Sequence, residues 1–561
     1  MNLDLFRSFL PLRNPIGFGA ADFIELAIAG VLVALVIGRE RFGAAARRLA
    51  DRPLLCFVLV GAMPVVLRLA LLPGHPAPTP SGADDFSYLL LADTLRHFRL
   101  ANPAHPLRQF FETVFVLQEP RYASIFPLGQ GLALALGWVL FGHPWAGVLI
   151  SEGAISALCY WMLRGWTTPG WALFGGVLAA MEFGPLCSWM NCYWGGAVSA
   201  MAGCLVFGAL PRLNRMPRLA ASLLGAGLGL QAMTRPFEAV LLLACVALFF
   251  GRWLRVRTAA LAILAVLPAV SLILLHDRAV TGDWLTMPYQ LSRWQYGVPA
   301  SFTFQPEPTP HRALTEEQRL DYEAQAAIHD GTPPYFARLL ERLPFYRFFL
   351  YPPLYLAIAA FLLTMREWRF IAVAGTILIF ALGTNFYPYF YPHYIAAITC
   401  LFVLASIVGL ESLSRRAIGR EIAGIISLLC VAQFLFWYMV HATGNDQMGV
   451  YEPADYINSG DPQGRLAVER QLEAAPGRQL VFVRYAPRHM FQEWIWNLAD
   501  IDGERIVRAL DLGAQENAKL QHYFTNRTAW LLEPDANPPR LTPYRPGPPT
   551  QQPPMGFSKV Q

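Results

Sequence analysis

Long apolar runs separated by short polar joints dominate the chain from residue 22 to residue 440. A helix needs about 20 apolar residues to cross a bilayer. Runs of that order lie at about 22–38, 53–72, 145–163, 170–186, 194–210, 219–233, 237–250, 258–275, 347–364, 370–385, 394–410 and 421–440, which predicts twelve spans. The linker after the first run carries Arg39, Arg41, Arg47, Arg48 and Arg52, and such clusters stay on the cytoplasmic side. The first helix therefore enters and the second exits, leaving residues 73–125 outside. The run Phe126 to Gly142 is short and glycine-rich; if it crossed, the clusters Arg212/Arg215/Arg218, Arg252/Arg255/Arg257 and Arg415/Arg416/Arg420 would all lie outside. It is expected to dip into the membrane or lie at its interface.

This topology puts on the outer face the loop 73–125, the turn 187–195, the turn 234–238, the loop 276–346, the turn 385–394 and everything from 441 onward. In the first loop, Tyr88, Leu91, Leu95 and Phe98 repeat at helical spacing, as do Leu107, Phe110, Phe111, Val114 and Leu117, and both stripes predict helices lying on the membrane surface. Hydropathy falls after His441. Strands are expected at 480–485, 504–510 and 528–532, a helix or turn at 491–498 and a helix at 516–524. The organisation read from this pattern is a membrane domain over 1–440, a small extracytoplasmic α/β domain over 441–533 and a Pro- and Gln-rich disordered tail over 534–561.

Composition agrees with a polytopic membrane protein: 55% of the 561 residues are hydrophobic and 15% charged, against roughly 25% charged in soluble domains. The basic residues are almost all Arg, with Lys only at 519 and 559, and the net charge of +5 sits in topological clusters, so no nucleic-acid partner is expected. Six of the eight cysteines lie inside apolar runs; only Cys187 and Cys192 flank a loop, as a disulfide or as two free thiols. The N-terminus lacks the order of a signal peptide, so no processing is expected. There is no GxGxxG, Walker loop or CxxC pair, which argues against nucleotide-powered or redox chemistry.

The candidate chemistry begins at Asp84 and Asp85, which open the first outer loop in Ser81-Gly-Ala-Asp-Asp-Phe-Ser-Tyr88. Neighbours on any regular element point apart, so one can face a substrate while the other holds the loop. A carboxylate partly desolvated near lipid suits general-base work; the plainer reading is an N-terminal cap and first-turn acid for the helix that follows. Arg121 and Arg235 are arginines on the outer face, placed to grip a phosphate or simply to pair with Glu119 and Glu238. His393 and Tyr394 end an aromatic turn, as phosphate donors or as interface residues, and Asn191, Tyr193 and Trp194 face a sugar or anchor a turn.

The opening Asp84-Asp85-Phe86-Ser87-Tyr88, the return Glu119-Pro-Arg-Tyr122 through Phe126-Pro127-Leu-Gly129, and the late His393-Tyr394 resemble the GT-C glycosyltransferases. More narrowly they resemble the bacterial branch similar to protein O-mannosyltransferases and aminoarabinose lipid A transferases. The resemblance covers about residues 50–440. It implies a GT-C-like α-helical membrane fold and a hexosyl or pentosyl donor on polyprenyl phosphate. Transfer is with inversion at the extracytoplasmic (periplasmic) face of the inner membrane, to a glycan, lipid or protein acceptor. By it Asp84 and Asp85 match the family's acids and are catalytic, and Arg121 and His393 fall near positions where the family places cations on the lipid phosphate; the residues themselves add Arg235 and Tyr394 as candidates for the donor phosphate and Tyr88, Tyr122, Asn191, Tyr193 and Trp194 as candidates for substrate lining. The family usually has Arg or Lys where His393 stands. No cofactor and no metal ligands are expected, although a divalent metal stays open. The competing readings are a transporter or flippase for a lipid-linked glycan, with Asp84 and Arg235 as gating charges, and a non-catalytic membrane subunit.

Overall fold

The computed structural model describes residues 20–37, 39–443, 457 and 464–545. Each of the twelve apolar runs contains a helix among these residues. Among the described residues, six helices are long and apolar enough to cross a membrane: Pro53–Ala70, Trp145–Leu163, Pro236–Trp253, Val256–Thr281, Pro392–Ser414 and Ala417–Ala442. A seventh is reached if Tyr335–Phe349 and Leu354–Leu362, bent by 113°, form one broken span. The break falls at Pro352-Pro353, where two consecutive residues lack the N–H that a helix needs. The chain is thus a multi-pass membrane protein. Length and apolarity alone do not reach the expected twelve, because helices such as Ala197–Arg212 and Trp368–Thr384 are only 10–17 residues long.

The glycine-rich run is the helix Leu128–Phe141. Gly129 leaves no room for a Cβ against Thr234, and Gly131 leaves none against Leu91. These two glycines bring the helix Ala83–Arg96, here called the acid helix, and the end of Pro217–Thr234 onto one short helix, which sets the spacing of the site.

The two stripes of the first loop fare differently. The first is the acid helix, but Tyr88, Leu90 and Leu91 are buried rather than laid on a surface. The second, 107–117, is not a helix: it holds a single turn, Arg108–Phe110, and the strand β2 (Val116–Leu117). Its aromatic residues are spent on packing, since Phe110 and Phe111 share a core with Leu480, Phe482 and Val507 of the C-terminal segment. Strands β1 (Asn102–Pro103), β2 and β3 (Arg121–Ser124) form a small antiparallel sheet in the order β1-β3-β2.

The C-terminal segment carries β4 (Arg478–Val483), β5 (Ile506–Leu510), β6 (Arg527–Glu533) and β7 (Arg540–Pro543) in the order β5-β4-β6-β7. β4 runs parallel to β5 and β6, and β7 closes the edge antiparallel to β6. Helices Arg465–Ala474 and Ala514–Tyr523 accompany the sheet, while 491–498 is irregular. The tail expected to be disordered from 534 instead supplies β7 and places Tyr544 against Phe482, because its apolar residues complete the sheet edge; 546–561 lies outside the described residues.

Candidate active site

The acid helix starts at Gly82, which caps it without a side chain, and Asp84 and Asp85 occupy its first turn, where carboxylates suit the positive end of the helix dipole. Their roles then diverge. Asp85 is buried and accepts hydrogen bonds from Ser81 N (3.2 Å) and Tyr193 N (3.0 Å), so it fastens the turn 187–195 to the helix. Asp84 is half-buried and has no side-chain partner among the described residues. It lies on the helix face of Tyr88, Leu91 and Leu95, three and four residues apart in turn.

The surroundings of Asp84 are mostly acidic and aromatic. Burial, with the charges of Asp85 and Asp321 added, pushes its carboxyl up to about 7, and Arg235 acts in the opposite direction. Asp321 lies on the helix Glu316–Asp330, called here the loop helix, is buried, and accepts from Gln325 Nε2 at 2.8 Å. Burial pushes Asp321 up to about 7 as well. Burial also raises the Tyr389 and Tyr391 hydroxyls, with Asp84 contributing to each.

Arg235 joins Pro217–Thr234 to Pro236–Cys245 and is a cation that acts on Asp84. It pairs with Glu238 at 3.6 Å, the bridge expected as its plainer role, and its guanidinium stands over the Tyr394 ring at 4.9 Å. Tyr387 donates to Glu238 at 3.3 Å. His393 packs its ring on Trp194 (4.9 Å) and stacks on Tyr391 (5.5 Å), and it meets Tyr394 edge-on at 4.7 Å. Tyr88 stacks on Phe126 at 4.3 Å. Burial raises the Tyr88 hydroxyl, with Arg235 opposing and Asp84 adding to the rise. Asp84, Tyr88, Trp194, Arg235, His393 and Tyr394 therefore gather around one region, joined by Asp321, Tyr389 and Tyr391.

The other residues singled out in the sequence have different tasks. Arg121 opens β3, is exposed, and is not among the charges acting on Asp84. Its expected partner Glu119 pairs with Arg108 (2.7 Å) and Arg312 (3.6 Å) instead. Tyr122 is buried and donates to Asn497 O at 2.8 Å. Asn191 accepts from Arg68 Nε and donates to Pro185 O and Cys187 O. The Tyr193 hydroxyl donates to Pro78 O at 2.9 Å. The polar groups of Tyr122, Asn191 and Tyr193, expected to line a substrate, thus donate to the fold's own backbone. Cys187 and Cys192 are free and buried. Among the described residues no group of three or more His, Cys, Asp or Glu is arranged to hold a metal ion.

Asp321 was not legible as a site residue. It lies in Glu-Glu-Gln-Arg-Leu-Asp-Tyr-Glu, whose charge density reads as a solvated helix. Nothing local announces that one face is buried.

No protein-family model matches the chain, and no curated protein matches it. Among solved structures it is similar to ArnT from Cupriavidus metallidurans in the apo state, at 12% identity and a TM-score of 0.46, over 83% of this chain and 91% of that one. It is also similar to that protein bound to undecaprenyl phosphate (11%, 0.46, 85% and 92%). A third is the archaeal oligosaccharyltransferase AglB from Archaeoglobus fulgidus in complex with an inhibitory peptide and a dolichol-phosphate (12%, 0.43, 86% and 69%).

Proposed function

We propose that the protein is a membrane glycosyltransferase that moves a sugar from a polyprenyl-phosphate donor to an acceptor at the extracytoplasmic face of the inner membrane, with inversion at the sugar carbon. The observation that carries this reading is the half-buried Asp84 carboxylate, without a side-chain partner among the described residues and set among Arg235, Tyr88 and the tyrosines of the 385–394 turn. A carboxyl near 7 is deprotonated in part at neutral pH and basic enough to take a proton from a hydroxyl or amine.

In this mechanism the acceptor's proton passes to Asp84 as its oxygen or nitrogen bonds to the sugar carbon. The bond from that carbon to the phosphate oxygen breaks, and its electron pair leaves with the lipid phosphate. Arg235 offsets the developing charge, and Tyr394 and His393 stand beside it as donors. Asp85 holds the helix turn and the 187–195 turn together. Trp194 and Tyr391 offer flat faces on which a sugar ring can stack.

The test is sugar transfer by purified protein in detergent from a polyprenyl-phosphate sugar. Loss of transfer in Asp84→Asn supports the reading and full activity removes the base; substrate passage across vesicles without transfer would favour the transporter.

A further inference from the structure

The acid helix has two faces, and the second is covered by chain from the other end of the sequence. Phe86 and Asp93 lie roughly opposite Asp84 around the helix, at 100° per residue. Along that back face runs the segment 489–499. Gln492 pairs as an antiparallel bridge with Gly82, and Glu493 N donates to Ser81 O at 3.2 Å. Trp496 stacks on Phe86 at 5.0 Å, and the Arg465 guanidinium stands 4.8 Å from the same ring. At the far end Ala499 N donates to the buried Asp93 Oδ2 at 2.8 Å. Between these attachments the Tyr122 hydroxyl donates to Asn497 O.

The segment is itself anchored on both sides. Glu493, almost wholly buried, accepts from Thr113 Oγ1 of the first loop, from Tyr485 Oη (2.9 Å) and from Ile495 N (2.6 Å). His489 joins Asp535 (2.7 Å) to the Gln492 carbonyl (2.6 Å) and stacks on Tyr485 at 3.9 Å. At the helix start the path continues inward, since Ser81, which accepts from Glu493, donates to Asp85, and Asp85 in turn holds Tyr193. Gly82 supplies no side-chain cap, so the first turn is held by these outside partners.

We propose that the segment 489–499 is a strap that positions the reacting carboxylate, with Trp496 and Glu493 as positioning residues for Asp84. This rests on the glycosyltransferase reading for its activity readout. The C-terminal sheet then serves as the rigid mount of the strap, and shifting the strap moves Asp84 relative to Arg235 without removing any group that meets substrate.

The test uses the full-length protein in detergent. Trp496→Ala is expected to lower kcat roughly tenfold to hundredfold, the cost of misplacing a reacting group by about 1 Å, with KM for the polyprenyl-phosphate sugar unchanged. The paired variant Gly82→Cys/Gln492→Cys is expected to form a disulfide across the bridge. A Cβ at Gly82 finds only ordinary contact, 3.9 Å from Phe491 O, and the native cysteines are buried. Placed in the Trp496→Ala background, the oxidised pair should restore most of kcat, and reduction should abolish the rescue. Failure of the disulfide to form overturns the apposition itself. A raised KM with normal kcat, or unchanged turnover in Trp496→Ala while Asp84→Asn is inactive, overturns the strap and leaves the base reading standing; full activity in Asp84→Asn overturns that reading, while the crosslink still reports on the strap's seat.

Discussion

The loops 73–125 and 276–346 build two carboxylate clusters from the same materials, and the two differ in how completely they are paired. In the first, Glu112 accepts from Arg312 (2.8 Å), Tyr296 Oη (3.1 Å) and Gln318 Nε2 (3.2 Å), while Glu119 pairs with Arg108. In the second, Asp84 has no side-chain partner among the described residues, and Asp321 has Gln325. The loop helix serves both, giving Gln318 to one and Asp321 to the other. A buried carboxylate is kept for structure when its acceptors are filled; one left unfilled in a buried site is costly and points to chemistry.

The sharpest break of this comparison is a pair of substitutions. Asp84→Asn is expected to lower turnover about 10²- to 10⁴-fold without lowering the melting temperature, read by a transfer assay beside thermal unfolding. Glu112→Gln should do the reverse, leaving turnover within about threefold while lowering the melting temperature, since a charge-assisted bond is worth about 1.5–3 kcal/mol. Equal loss of turnover in both variants would erase the distinction.

Arg312→Ala carries the next largest effect. It leaves Glu112 buried without its cation, and Arg312 is 21% exposed, so about 3 kcal/mol, the low end for a broken buried pair, is expected from denaturant unfolding.

The apolar pattern made the helices legible because burial in lipid and burial in protein ask for the same residues. The same fact hid the difference between them: the stripe at 107–117 has helical spacing, yet Phe110 and Phe111 pack on the C-terminal sheet as irregular chain. Asp84 was legible from its position after an apolar run. Its separation from Asp85 followed from helix geometry, but which of the two is fastened depends on Tyr193 N, a partner 108 residues away. Arg235 stood out as an outer arginine, whereas Asp321, Tyr389 and the strap depend on long-range packing that no local pattern encodes.

The pH dependence sharpens the comparison further. A base must be deprotonated to act, so turnover should rise as pH rises through about 7, where Asp84 is held. Asp321→Asn removes a like charge, and the rising limb should move to lower pH. Stability has the opposite sign: Asp84 and Asp321 are raised to about 7 in the fold, against about 3.9 when unfolded, so the native state binds more protons over that window. Stability is then greatest below about 4 for these two groups and is lost as pH climbs through 7. Differential scanning at fixed ionic strength from pH 5 to 8 reads it, and Asp84→Asn/Asp321→Asn should flatten the slope.

The smallest effect is expected at Arg121, where motif and geometry disagree. The resemblance gives this arginine a place on the donor phosphate, yet it is exposed at the start of β3 and Glu119 is engaged by Arg108 and Arg312. A cation that serves the phosphate must act on the same space as the base, and Arg235 is a cation that acts on Asp84. Arg121→Ala should therefore change stability by no more than about 0.5 kcal/mol, as at other exposed sites, and turnover by less than about twofold, while Arg235→Ala lowers kcat by about 10²-fold or more. A tenfold rise in KM for the polyprenyl-phosphate sugar in Arg121→Ala alone would mean that the donor head group extends past the Asp84 region to β3, and the phosphate would then belong to the sheet of the first loop rather than to the helix junction at 235.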